Sequence, residues 1–229
     1  MQSSQDCLLC AAPNGREILC VECAAQLPRL AAECCPVCAL PTPDSAVCGR
    51  CLSHPPAFDA TMAIFDYRFP VDVLIQQLKY ANQLALVPWL AKQATMRLSG
   101  MPLPDAALAM PLSRARLRER GFNQSAEIAK SACRRLGVPV FGGCERIRDT
   151  ESQAGLPWNA RAKNVRGAFA CANDLSGKHI AVFDDVMTTG ATLNEIAKTL
   201  KKAGAARVSA WVIARTLPET LQATATSYV

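Results

Sequence analysis

The tightest constraint on this fold is a spacing. Cys7/Cys10, Cys20/Cys23, Cys35/Cys38 and Cys48/Cys51 form four Cys-x-x-Cys pairs, and the interval from Cys10 to Cys20 recurs from Cys38 to Cys48. A segment this rich in thiols and this poor in apolar runs has too little core to fold alone. Thiolates separated by two residues grip one ion, and two such pairs close a tetrahedral four-thiolate site of the kind zinc takes. Metal binding then supplies the missing folding free energy. The repeat favours sequential sites, with Cys7, Cys10, Cys20 and Cys23 on one Zn²⁺ and Cys35, Cys38, Cys48 and Cys51 on another. Interleaved pairing, as in a cross-brace, is the alternative the spacing leaves open. A dithiol redox catalyst needs one such pair rather than four. Both histidines, His54 and His179, lie outside the pattern, so thiolates must serve alone. Cys34 is left over.

The remaining totals set limits. MQSSQDCLLC has no basic n-region and no apolar h-region, so it does not read as a secretory signal, and a cytoplasmic protein is expected. In that reducing setting the cysteines hold metal rather than disulfides. LALVPWLA is too short to span a bilayer, so no membrane insertion is expected. The 229 residues suit a small module and one ordinary domain. Expected boundaries are 1–54 for the cysteine module, 60–217 for the larger domain and 218–229 for a tail. The net charge of +6 favours anionic partners, phosphates or nucleic acid.

LSHPPAFDAT reads as a linker. VDVLIQQLKYAN and PWLAKQATMRL then follow helical periodicity, with Pro88 suited to a helix start. AALAMPL and VPVFGG read as short strands, and NQSAEIAKSACRRLG as an amphipathic helix from Asn123 or Ser125 to Gly137. HIAVFD is a buried strand, TLNEIAKTLKKAG a helix ending at Gly204, and ARVSAWVIA a further strand. Strands alternating with helices mean an α/β fold, a mostly parallel doubly wound sheet with helices on both faces. Nucleotide P-loop, dinucleotide-binding, zinc-protease and nucleophile-elbow motifs are absent from the sequence.

One stretch concentrates the chemistry: HIAVFDDVMTTGATLNEIAKTL. Asp184 and Asp185 stand at the carboxyl end of a strand, where open α/β sheets bind ligands. Thr188, Thr189, Gly190, Ala191 and Thr192 turn into a helix whose amides form a positive concavity for a phosphate. Gly190 permits close backbone approach, and the threonines add hydroxyl donors. The aspartates cannot want that phosphate, but they can accept hydrogen bonds from vicinal ribose hydroxyls. A ribose 5-phosphate satisfies both. The blander account is an acidic strand end beside a helix cap, which gives the paired carboxylates no packing use.

This stretch resembles the phosphoribosyl pyrophosphate (PRPP) signature of type I phosphoribosyltransferases. With RERGFNQSAEIA, PLSRARLRERGFNQ, RDTESQAGL, RAKNVRGAF and the cysteine module, the chain resembles the ComF/GntX family from Cys7 to about Leu217. The resemblance implies a double zinc ribbon before a type I phosphoribosyltransferase-like sheet, with a link to DNA uptake and utilisation. It implies Asp184 and Asp185 as catalytic residues on ribose, residues 188–192 on the 5′-phosphate, and Mg²⁺ with PRPP. Leu112, Ser113 and Arg114 follow the strand whose loop meets pyrophosphate, and Arg120 lies inside a family motif. Arg148 and Gln153, with Asn164, fall where these enzymes carry a mobile hood. The acceptor is expected to be nucleobase-like, though no residue set reads one base. A non-catalytic PRPP- or nucleotide-binding accessory factor, contacting single-stranded DNA and the uptake machinery through ribbons and arginines, is the competing account.

Smaller features have plain readings. Arg114, Arg116, Arg118 and Arg120 alternate, which in an extended segment puts four guanidiniums on one face, for phosphate or simply for solvent. Asn123 is a cap or a ligand contact. Lys79 reaches a phosphate or complements its helix end. Cys133, Cys144 and Cys171 stand isolated, Cys133 on an apolar helix face. Trp89, Trp158 and Trp211 are too scattered to form a stacking platform.

Overall fold

The computed structural model describes residues 5–148 and 165–218. Four parallel strands form the central sheet: β1 (Ala60–Asp66), β2 (Ala106–Ala109), β5 (His179–Met187) and β6 (Arg207–Arg215), in the order β1-β6-β5-β2. The connections carry α3 (Val71–Tyr80), α4 (Leu86–Leu98), α5 (Arg114–Arg120), α6 (Gln124–Leu136) and α7 (Ala191–Lys202). An antiparallel pair, β3 (Cys144–Arg146) and β4 (Phe169–Cys171), forms a separate two-stranded sheet whose Cys144 and Phe169 pack into the core on the α7 side.

β5 and β6 are apolar on both faces because helices cover both. Period-two alternation sorts their side chains. Ala181, Phe183, Trp211 and Ile213 pack with Leu74, Leu90, Ala94 and Ile128 of α3, α4 and α6. Ile180, Val182, Val208 and Val212 pack with Leu193, Ile196 and Leu200 of α7. Ile196, wholly buried, is a point where truncation to Ala costs about 2–5 kcal/mol.

The cysteine segment contains two short helices, α1 (Val21–Ala25) and α2 (Gly49–Ser53). Its halves straddle the β1 edge of the sheet. Cys7, Ile18, Leu19 and Leu27 join the core on the α4 side, whereas Cys35, Cys38, Cys51 and Phe58 join that on the α7 side. The connector between the halves runs antiparallel along β1: Leu30 N donates to Ile64 O (3.1 Å) and Asp66 N to Pro28 O (2.8 Å). The module thereby covers an edge strand that would otherwise invite pairing with another chain.

Several expectations are corrected. The linker ends inside β1, and Asp59 is pinned by its N–H to Val208 O (2.8 Å) and by Val208 N donating to its carboxylate (2.7 Å). Pro88 is the third residue of α4, still within the first turn, where its missing N–H costs nothing. VPVFGG makes one parallel bridge, Ala107 to Val140, and no strand. The alternating arginines are helical because Ser113 caps α5, accepting from Arg116 N at 3.3 Å. At about 100° per residue, Arg114 and Arg118 share one face and Arg116 and Arg120 another. Cys144 and Cys171 are not isolated: they oppose each other across β3 and β4, Cα–Cα 4.1 Å, joined as a disulfide. Gln153, Asn164, Trp158 and the tail from 219 lie outside the described residues.

Candidate functional site

Asp184 and Asp185 lie near the carboxyl end of β5, against the first turn of α6. Asn123 starts that helix, accepting from Ala126 N (3.2 Å) while its amide donates to Met110 O (3.0 Å). The cap ties α6 to the end of β2 and aims Gln124 and Ser125 at β5. Gln124 Nε2 donates to Asp185 Oδ2 (2.7 Å), and Ser125 Oγ to Asp184 Oδ1 (3.1 Å). From the last turn of α3, Lys79 Nζ reaches Asp185 Oδ2 at 2.9 Å.

The two carboxylates are therefore unlike. Asp185 is 5% exposed. Burial alone would raise its pKa, but the Lys79 ammonium and Gln124 hold it below the usual carboxylate range. Asp184 is partly exposed, and burial followed by the neighbouring Asp185 charge pushes it up. A carboxyl with a raised folded-state pKa costs stability once ionised, and that cost grows from its unfolded pKa toward neutrality. Asp184→Asn is thus expected to stabilise the fold, by an amount that grows between about pH 6 and about pH 8. Urea unfolding at both pH values checks this; a gain that shrinks as the pH rises contradicts it.

Arg120, at the end of α5, lies 5.2 Å over the Tyr80 ring and donates from Nη2 to the Tyr80 hydroxyl at 3.4 Å. It also helps hold Asp185 low. Arg120 Nε and Gln124 Oε1 are buried without partners among the described residues. Buried polar atoms are rarely left so, and two in one cluster mark a place where a ligand can complete the set.

After β5, Met187 to Thr192 turns into α7. Gly190 has φ +79°, a left-handed conformation, and caps the helix with no side chain. Thr189 Oγ1 accepts from Ala191 N (3.2 Å). The carbonyls of Met187, Thr188 and Thr189 are occupied by guanidiniums. Arg215, 2% exposed, donates to Met187 O (3.0 Å) and to Thr188 O, and Arg50 Nη2 donates to Thr189 O (3.1 Å).

Leu112, Ser113 and Arg114 follow β2, as placed by Met110 N donating to Phe183 O (2.8 Å). Leu112 and Arg114 line a cleft of about 240 Å³ with Glu145 and Arg146 of the hairpin. Arg148 donates to Arg166 O (2.6 Å) and so closes the hairpin on itself. A cavity of about 690 Å³ lies elsewhere, at the amino ends of the strands beside Arg97, His179, Arg207 and Trp211. His179 contacts Ser209 Oγ at 2.7 Å and ties β5 to β6.

Sequence reasoning missed Gln124, Ser125 and Tyr80; it placed Lys79 at its helix end, where it stands, but did not see its pairing with Asp185. The available signal was positional: Gln124 and Ser125 open the helix next to a strand end, and the last turn of α3 faces the same edge. Cys133 is core, as its periodicity indicated, with burial pushing its thiol up to about 11.

The cysteines fall into two sequential groups, Cys7, Cys10, Cys20, Cys23 and Cys35, Cys38, Cys48, Cys51, with ligand atoms in each within 4.8 Å of one another. Backbone amides support them: Cys20 N donates to Cys7 Sγ (3.3 Å) and Cys48 N to Cys35 Sγ (3.4 Å). Four convergent thiolates with amide donors fit tetrahedral zinc. Cys34 is outside both groups and donates to Ala31 O.

A double four-cysteine module before a parallel α/β sheet with an acidic strand end defines a zinc-ribbon protein of phosphoribosyltransferase type. Residues 4–52 match the double zinc ribbon domain and residues 123–227 the phosphoribosyl transferase domain. The chain is 35% identical over 220 residues to the DNA utilization protein YhgH of Salmonella typhi, covering 92% of this chain and 97% of that protein. It is 35% identical over 175 residues to Competence protein F of Haemophilus influenzae, covering 72% and 76%. The chain belongs to the ComF/GntX family, which these relatives represent. Among solved structures, the purine phosphoribosyltransferase from Pyrococcus horikoshii Ot3 is 19% identical with a TM-score of 0.34, covering 57% of this chain and 82% of that one; at that score the likeness adds no argument. Among the described residues, no helix is long and apolar enough to cross a membrane.

Proposed function

We propose that this chain binds PRPP at the end of β5 and transfers its phosphoribosyl group to an acceptor in DNA uptake or utilisation. The observation that carries this reading is the juxtaposition of an acidic strand end with a glycine-capped phosphate loop in one continuous stretch, Asp184 to Thr192. The amides of residues 188–192 and the α7 N-terminus receive the 5′-phosphate. Asp184, the more exposed carboxylate, accepts the ribose hydroxyls, while Asp185 is fixed by Lys79 and Gln124. In this reading Arg120, beside Tyr80 and Asp185, and Arg114, in the cleft after β2, are the cations offered to pyrophosphate. Mg²⁺ would neutralise pyrophosphate charge when bound with PRPP. The protein's own work is positioning and charge stabilisation rather than covalent chemistry. A nucleobase-like acceptor is the one the assay below offers first.

A second reading, a non-catalytic PRPP-binding factor that handles single-stranded DNA, draws on the names of the relatives and on the exposed Arg114 and Arg118 of α5. A pyrophosphate-release assay with PRPP, Mg²⁺ and pooled bases, beside single-stranded DNA, separates the two. Release that requires an added base supports transfer. Binding of PRPP with no release from any acceptor, together with salt-dependent DNA affinity, replaces it with the second reading.

A further inference from the structure

We infer that the second zinc site and Arg215 together preorganise the phosphate loop, so that PRPP affinity depends on the metal state of Cys35, Cys38, Cys48 and Cys51 but not on that of the first site. The inference deepens the PRPP reading and rests on it for the ligand.

A loop that presents successive N–H groups to an anion must turn its carbonyls the other way, and those carbonyls need donors. Here the three successive carbonyls of Met187, Thr188 and Thr189 are met by two guanidiniums. Both guanidiniums are anchored in the second ribbon. Arg215, at the end of β6, donates from Nε to Cys38 O at 3.0 Å while its Nη1 holds the loop. Arg50 lies between the ligand residues Cys48 and Cys51 on α2. The linker leaving the ribbon adds a third tie: Ala57 N donates to Asn194 Oδ1, in the first turns of α7, at 2.7 Å. The first ribbon packs on the opposite face of the sheet, and among the described residues it makes no such contact with the loop.

The chemistry of the donor set reinforces the geometry. Four thiolates around Zn²⁺ carry a net negative charge, a counterion for a buried guanidinium. Arg215 in turn places positive charge behind a loop built for phosphate. Arginine suits this place because Nε reaches Cys38 O while Nη1, its two N–H groups shared among the Met187, Thr188 and Thr216 carbonyls, reaches the loop. A lysine ammonium cannot span them. Arg215 is a positioning residue: it acts through the loop and does not touch the ligand.

The test pairs hydrogen exchange with PRPP calorimetry on full-length, zinc-loaded protein, using Arg215→Lys, Cys48→Ser and the equivalent first-site variant Cys20→Ser. Zinc content is measured for each. In the ligand-free protein, Arg215→Lys and Cys48→Ser are expected to speed exchange at residues 187–192 by tenfold or more, with residues 180–183 of β5 unchanged. Their PRPP affinity is expected to fall at least tenfold, and that of Cys20→Ser to stay within about twofold of wild type. Equal loop exchange in Cys48→Ser and Cys20→Ser, or unchanged exchange in Arg215→Lys, overturns the inference. If wild type fails to bind PRPP while the exchange pattern appears as stated, the coupling stands and the ligand assignment fails.

Discussion

Lys79→Met is expected to lower the unfolding free energy by about 3–5 kcal/mol, the usual penalty for stripping one partner from a buried ion pair. Lys79 and Asp185 meet at 2.9 Å with side chains 15% and 7% exposed. Burial opposes the Lys79 charge, and the Asp185 carboxylate more than offsets this, so the lysine pKa goes up while that of Asp185 goes down. The signs define a window. The depressed carboxylate contributes stability above its unfolded pKa and loses it as pH falls through the folded value. The raised lysine contributes below its own unfolded pKa. The pair therefore works across the neutral range, and the variant's deficit should shrink in acid. Removing both charges in Lys79→Met/Asp185→Leu should recover much of the loss, because an apolar pair leaves no charge stranded. Urea unfolding of the two singles and the double measures the coupling. A single-variant loss under about 1 kcal/mol contradicts the buried-pair account.

Removal of zinc is expected to have the larger consequence. Structural four-thiolate sites in small peptides bind with about 10–16 kcal/mol, which is also the folding free energy of the segment. Here the ribbons do more than fold themselves, since residues 28–30 cover β1 through the Arg29 and Phe65 bridge and its flanking hydrogen bonds. Chelation should unfold the module, strip that cover and leave β1 as an open edge beside exposed Leu27 and Phe65 contacts. Concentration-dependent association should follow, reversed by added zinc. Light scattering and thermal unfolding with and without chelator check this. A chelated protein that stays monomeric with an unchanged unfolding temperature contradicts it.

The readable parts of the sequence were those where a local pattern has one physical solution. Paired cysteines at repeated spacing admit few arrangements, and the sequential grouping is what the structure has. α7 and β6 carried strong periodicity and clear ends, including left-handed Gly204 after α7, whereas β5 runs to Met187, three residues past the apolar HIAVFD pattern. Four features were harder to see. The alternating arginines looked extended because periodicity alone ignores the Ser113 cap, which commits them to a helix. Cys144 and Cys171 are 27 residues apart, and their meeting depends on a hairpin whose connection has no pattern of its own. The Lys79–Asp185 pair is a tertiary contact between α3 and β5, invisible to any window along the chain. The same holds for Arg215, which reads as an ordinary strand end until the ribbon is folded against it.

The central claim is that the strand-end carboxylates and the loop after β5 form one PRPP site. Calorimetric titration of the zinc-loaded protein with PRPP and Mg²⁺, beside Asp184→Asn/Asp185→Asn, tests it most directly. The account predicts saturable binding by the wild type and loss of at least tenfold in affinity in a variant that remains folded by circular dichroism. Absence of binding by the folded wild type, or equal binding by the variant, would contradict it.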